Sequence, residues 1–174
     1  MPVINMLNKL ACPICRQPIW PNLMCERCQW IGIMRNGRLI LHRNDASWES
    51  CMAQVEAVNK IDAYAVNATN MPAGYKPVSA CVSEAIDINI KMIERIYAKA
   101  NCNGGVFIDL GGSKGWAAEW LIERGAACGA VLDIDESNLP DARFNIVPIC
   151  ADGYHIPFLD KTFLSCPILE RFPL

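Results

Sequence analysis

The sequence predicts an α/β fold, a partial doubly wound parallel sheet preceded by a small cysteine-bearing module and helices. Three features carry that expectation. Two Cys-x-x-Cys pairs fall within the first 28 residues, apolar side chains recur at helical spacing between residues 47 and 100, and from Val106 short apolar runs alternate with a glycine loop and a helix. The chain has 174 residues, 52% of them hydrophobic, enough to bury a core. At roughly 100–200 residues per domain it has room for one domain plus a small module.

Charge is unevenly spread. The net charge is −2, yet residues 1–45 hold six Lys/Arg against Glu26 and Asp45, and the remainder holds ten basic against sixteen acidic residues. This balance gives no global reason to expect nucleic acid or an anionic membrane as partner. No charged segment followed by an apolar stretch opens the sequence, and no apolar run reaches ~18 residues, so neither a secretory signal nor a membrane span is expected. A cytoplasmic, reducing compartment follows as the expectation. There, four closely spaced cysteines point to metal, and Cys51, Cys81, Cys102, Cys128, Cys150 and Cys166 to small buried hydrophobes.

Residues 10–41 are rich in Cys, Pro, Trp and turn formers, a composition that makes no core alone. Cys12-Pro13-Ile14-Cys15 and Cys25-Glu26-Arg27-Cys28 stand nine residues apart. Each pair can bend a knuckle that brings two sulfurs to one Zn²⁺ at about 2.3 Å, and two knuckles complete a tetrahedron. A closed four-thiolate set is structural and not catalytic. A redox dithiol would need a single pair in a thioredoxin-like βαβ context, which is absent. His42 lies outside the knuckles and reads as a surface or linker histidine.

Next comes a helix over 47–68, with Trp48, Met52, Val55, Val58 and Ile61 on one face and Ser47 placed to cap it. The segment Asn70–Pro77 is a breaker-rich linker. A second helix is expected over about 79–100, with Ile86, Ile90, Ile93 and Tyr97 on its apolar face. From there the pattern is βαβ: a strand at Val106–Leu110, a tight loop Gly111–Gly115, and a helix Trp116–Arg124 stopped by Gly125. A second strand follows at Ala130–Asp133 and a weaker third at Ile146–Cys150.

An acidic strand end, Asp109, followed by Gly111-Gly112-Ser113-Lys114-Gly115 and a helix suits close approach of a ligand to backbone N–H groups. A dinucleotide fingerprint would need G-x-G-x-x-G, and a phosphate loop Ser or Thr after the lysine; neither is present. The string formally matches G-x-S-x-G, with Asp133 and His155 downstream, but a hydrolase would need several strands ahead of the serine, where residues 47–101 read as helix. Taken singly, Asp133 and Asp152 read more readily as strand-end caps than as ligands, and His155 as a loop residue.

Val106 to Gly115 resembles the first motif of class I S-adenosylmethionine-dependent methyltransferases, with Ser113 in place of the middle glycine. Val131-Leu132-Asp133-Ile134-Asp135 resembles the second strand of that family, and Cys150-Ala151-Asp152-Gly153 through Phe163 its third motif. The resemblance covers roughly residues 80–165 and implies a Rossmann-like fold. It assigns S-adenosylmethionine to Asp109, Gly111, Gly112, Ser113, Gly115, Asp133, Ile134, Asp152 and Gly153. In it, the acid at Asp133 takes the ribose hydroxyls, with Asp135 next in line, and Asp152 takes the adenine amino group. The cysteine module is similar to zinc ribbons fused ahead of some methyltransferases, including rRNA guanine methyltransferases. Those use a ligand pattern containing a histidine, so their substrate is not carried over.

The expected organisation is thus a zinc ribbon over 1–45, helices over 46–101, and a truncated S-adenosylmethionine-binding domain over 102–174. After Phe163 the family pattern stops, with Pro167 where a central strand would donate a hydrogen bond. The cofactor-binding half is read as present and the acceptor half as missing, so the methyl acceptor and the catalytic residues are not named. A bare sheet edge at the Val106 strand or its neighbour would then invite self-association. The alternative reading is a non-catalytic module whose ribbon contacts protein or RNA and whose sheet is a scaffold.

Overall fold

The computed structural model describes residues 2–59, 91, 95, 103–163 and 169–170. A short helix α1 (Pro2–Leu7) leads into the two cysteine pairs, followed by a hairpin of β1 (Ile33–Arg35) and β2 (Arg38–Ile40) and by helix α2 (Ala46–Asn59). After the undescribed stretch come β3 (Val106–Leu110), α3 (Trp116–Glu123), β4 (Cys128–Asp133), β5 (Ile146–Cys150) and β6 (Leu169–Glu170). Single 3-10 turns at Glu136–Asn138 and Gly153–His155 follow β4 and β5.

The strands β3, β4 and β5 lie where their apolar runs place them, β4 starting two residues earlier than expected. The β1–β2 turn is Asn36-Gly37, both at positive φ (51° and 75°), which matches the right-handed twist of a two-residue hairpin. Helix α2 begins one residue before the expected start, and its cap is Asp45, not Ser47. The Asp45 carboxylate accepts from the Trp48 backbone N–H at 3.1 Å. Trp48, Met52 and Val55 are half-buried, as the helical stripe requires, whereas Val58 and Ile61 lie outside the described side chains. Of the second expected helix only Lys91 and Arg95 are described, both helical and exposed; the linker at 70–77 lies outside the described residues.

Among the described residues the strands form one six-stranded sheet in the order β1-β2-β5-β4-β3-β6. Only β1–β2 is antiparallel; β2 runs parallel to β5, β5 to β4, β4 to β3 and β3 to β6. The bare edge expected at β3 is therefore filled, by β6 against Asp109 and Leu110, and the neighbouring edge at β5 is covered by β2, with Leu39 opposite Ile149 and Ile40 opposite Cys150.

Alternation sends side chains to two faces. Phe107, Val131, Ile146, Cys150 and Ile40 go to one, where Trp116, Ala117, Trp120 and Leu121 of α3 cover them. Gly129 is needed on this face because a Cβ there would lie 2.3 Å from the Phe107 ring. Ile108, Cys128, Ala130, Leu132, Ile149, Leu39 and Leu41 go to the other. That face is covered by the N-terminal segment itself, through Met6, Leu10, Ile19, Leu23 and Trp30. Residues 2–30 thus stand where a doubly wound sheet ordinarily carries a helical layer. No helix among the described residues is long and apolar enough to cross a membrane.

Candidate functional site

The four N-terminal cysteines converge. Their sulfurs all lie within 4.8 Å of one another, with Cys12 and Cys25 buried and Cys15 and Cys28 half-buried. Individual Sγ–Sγ separations are 3.5 Å for Cys12–Cys28, 3.3 Å for Cys15–Cys25 and 3.8 Å for Cys15–Cys28. A tetrahedral ion with metal–sulfur bonds of about 2.3 Å would need edges of about 3.8 Å, close to these separations, and none of the four is in a disulfide.

The two knuckles are built alike. The N–H of Arg16 donates to the Cys12 carbonyl and that of Gln29 to the Cys25 carbonyl, while Cys12 and Cys25 donate to the carbonyls of Gln17 and Trp30. Arg16 and Gln29, each just after the second cysteine of its pair, have φ of 67° and 58°, the left-handed turn that closes a knuckle. The Cys28 backbone N–H pulls the Cys25 thiol down to about 6 against its burial, whereas burial pushes Cys12 up to about 12. Such a set can hold a metal ion such as zinc.

A second constellation lies at the C-terminal ends of the parallel strands. Asp109, the penultimate residue of β3, is buried, and Gly112 passes so close that a Cβ there would lie 2.7 Å from the Asp109 carboxylate and from Val131. The loop takes φ of 66° at Gly111, 48° at Ser113 and 75° at Gly115, so Ser113 occupies a position that favours glycine. Asp133, at the end of β4, accepts from the Ser113 N–H through one carboxylate oxygen and from the Asp135 N–H through the other, both at 3.0 Å. It does act as a strand-end cap, and in doing so ties the glycine loop to β4. Asp135 caps the turn at Glu136–Asn138, accepting from the backbone N–H and the hydroxyl of Ser137. Asp152, just past β5, caps the turn Gly153–His155 through the Tyr154 N–H and bonds the His155 ring at 2.7 Å.

Asp109, the loop Gly111–Gly115, Asp133 with Ile134, and Asp152 with Gly153 thus stand at the same ends of three adjacent parallel strands. Sequence reasoning missed what surrounds them. Because β2 is parallel to β5, its continuation arrives at the same edge, and Arg43 lies 2.8 Å from His155 Nε2. Arg38 donates to the carbonyls of Leu139 and Pro140, Arg35 pairs with Glu136, and Arg16 reaches the carbonyls of Ile156 and Phe158 and the Asp160 carboxylate. No spacing in the sequence points to these contacts, because the partners lie about a hundred or more positions away. A separate cleft of about 450 Å³ opens on the cysteine segment beside Gln17, Trp20, Asn22 and Met24; no residue of the strand-end constellation lines it.

His42 proves half-buried. Its ring stacks on Trp48 with centroids 4.0 Å apart and 6° between planes, and its buried Nδ1 has no hydrogen-bond partner among the described residues. Burial, with Arg35 adding and Glu136 opposing, lowers its pKa from the ordinary 6.5. The folded state thus favours neutral His42, a contribution present in full above that value and lost as pH falls below it. Urea melts at pH 7.5 and 5.5 are expected to show the protein less stable at the lower pH. His42→Phe, which keeps the stack, is expected to flatten that difference; an unchanged difference would place its origin elsewhere.

The fold and the sites define an α/β protein with a mainly parallel sheet and, in its N-terminal segment, a four-cysteine cluster that can hold a metal ion. No family model and no curated protein matches the chain.

Proposed function

We propose that the chain is a zinc-ribbon protein with a Rossmann-like sheet that binds S-adenosylmethionine, in the manner of a class I methyltransferase. The observation that carries this reading is the juxtaposition of Asp109, the Gly111–Gly115 loop, Asp133 and Asp152 at the carboxyl ends of β3, β4 and β5. Strand order supports it. From β3 the chain proceeds through β4 to β5 on one side and returns on the other with β6. The crevice beside β3 is therefore the switch point where ligands of open α/β sheets bind.

Each residue has a defined task in that reading. Gly111, Gly112 and Gly115 would let the backbone approach the methionine end, and the N–H groups at the start of α3 would hold its carboxylate. Asp133 takes the ribose hydroxyls. The N–H groups of Ser113 and Asp135, one on each carboxylate oxygen, fix its rotamer at the strand end. Asp152, held in the same way by Tyr154 and His155, takes the adenine amino group, flanked by Gly153. The cofactor supplies an electrophilic methyl group on a sulfonium, and what the protein must add is mainly alignment with the acceptor. The paired knuckles hold the ribbon's Zn²⁺ and carry no chemistry of their own.

Calorimetric titration with S-adenosylhomocysteine tests the reading. Asp133→Ala removes a charged acceptor and is expected to weaken binding by about 1.5–3 kcal/mol. Equal affinity of variant and wild type would overturn the role of Asp133, and no binding by wild type would overturn the cofactor. Binding without methyl transfer to any acceptor would favour a non-catalytic module.

A further inference from the structure

The group that secures Asp152 comes from the other end of the chain. Arg43 Nη1 lies 2.8 Å from His155 Nε2, and His155 Nδ1 lies 2.7 Å from Asp152 Oδ2. A guanidinium only donates. His155 Nε2 must then accept, which leaves its proton on Nδ1, directed at Asp152. Hydrogen-bond polarity thus runs one way, from Arg43 through His155 to Asp152. The second Arg43 terminal nitrogen pairs with Asp45 at 2.8 Å, which fixes the guanidinium to the cap of α2. The side chains are partly covered, with exposures of 33% for Arg43, 35% for His155 and 15% for Asp152, so the contacts are shielded from water without being sealed from a ligand.

We propose that Arg43 is a positioning residue for base recognition: through His155 it holds Asp152 in the orientation that accepts the exocyclic amine of adenine. The inference rests on the adenosylmethionine reading and extends it, because it puts a residue of the N-terminal segment in control of base selectivity. Without the Arg43 donor, His155 is free to change tautomer or turn away. Asp152 then keeps the Tyr154 N–H but loses the partner on its other oxygen. An acceptor held by one bond can rotate, and the discrimination it provides between an amine donor and a carbonyl acceptor falls.

Affinities for S-adenosylhomocysteine and S-inosylhomocysteine, which differ at the purine substituent, read this directly. Wild type is expected to prefer the adenosyl ligand. Arg43→Met, which keeps length and packing but no donor, is expected to reduce that preference roughly tenfold, as loss of an oriented charged hydrogen bond would. Arg43→Lys restores a donor and is expected to recover much of it. His155→Phe, which leaves the Arg43–Asp45 pair in place, is expected to lose it as Arg43→Met does. A structural defect would weaken both ligands alike and leave their ratio unchanged. Nitrogen-15 spectra of His155 in the free protein give a second readout, with the proton on Nδ1 in wild type and a tautomer mixture in Arg43→Met. An unchanged ratio in both Arg43→Met and His155→Phe overturns the inference alone. Failure of wild type to bind or to distinguish the two ligands overturns the adenosylmethionine reading and this inference with it.

Discussion

Stripping the ion from Cys12, Cys15, Cys25 and Cys28 is expected to unfold the sheet together with the knuckles, in a single transition. The cysteine segment has no core of its own. Its buried residues Leu10, Ile19, Leu23 and Trp30 belong to the same cluster as Ile108, Leu132 and Ile149 of the sheet, and its hairpin pairs with β5. When the knuckles open, those side chains leave the face they cover. A structural zinc site contributes an apparent 10–16 kcal/mol, roughly, in small zinc-dependent folds. A domain of this size has a total stability of only about 5–15 kcal/mol. An ion bound there would thus contribute as much as everything else that holds the fold. Thermal melts followed by circular dichroism, with and without chelator, measure this, with elemental analysis expected to find about one zinc per chain. Cys12→Ser is expected to behave as the chelated protein does. Knuckles that lose order while the strands melt unchanged would show that the segment is an appendage.

Phe158→Ala is expected to cost about 3–5 kcal/mol, the range for emptying a buried aromatic site, and to lower Tm by about 6–20 °C at this chain length. Phe158 is 2% exposed, meets Phe163 edge-on at 4.8 Å, and lies in the seam between the N-terminal segment and the sheet. Backbone contacts seal the same seam: the Ala11 N–H donates to the Pro157 carbonyl and the Leu159 N–H to that of Lys9. Since Arg16 grips the carbonyls on either side of Pro157, the cavity has little freedom to collapse. Phe144, 87% exposed, is the control, and Phe144→Ala is expected to change stability by no more than about 0.5 kcal/mol. Equal melts for the two variants would show that the seam is loosely packed.

Local order was legible where a physical requirement leaves a mark in adjacent residues. Two thiols on one knuckle must be close in sequence, so the four-cysteine cluster could be named from spacing. A strand covered on both faces must be apolar throughout, so Val106–Leu110 and Ile146–Cys150 were placed to the residue. A turn that needs positive φ selects glycine, so the loop at Gly111–Gly115 announced itself, along with the acids at the ends of its strands. The cap of α2 was misplaced by two residues, because Asp45 and Ser47 both suit the role and only the helix start decides between them.

Partners far apart in the chain left no such mark. Nothing in Arg38-Leu39-Ile40-Leu41 says that β2 will run parallel to β5, more than a hundred residues on, or that Arg43 will then meet His155. Nor does the cysteine segment's composition disclose that it covers one face of the sheet. The sequence alone determined β3, β4, β5, the helix after the glycine loop, the four-cysteine set and the acids of the strand ends, because propensity, turn chemistry and ligand spacing act over a few residues. Tertiary structure alone decided that the N-terminal segment is a layer of the fold and that its arginines brace the loops after β4 and β5. Those outcomes depend on which apolar faces find each other, and that is a property of the whole chain.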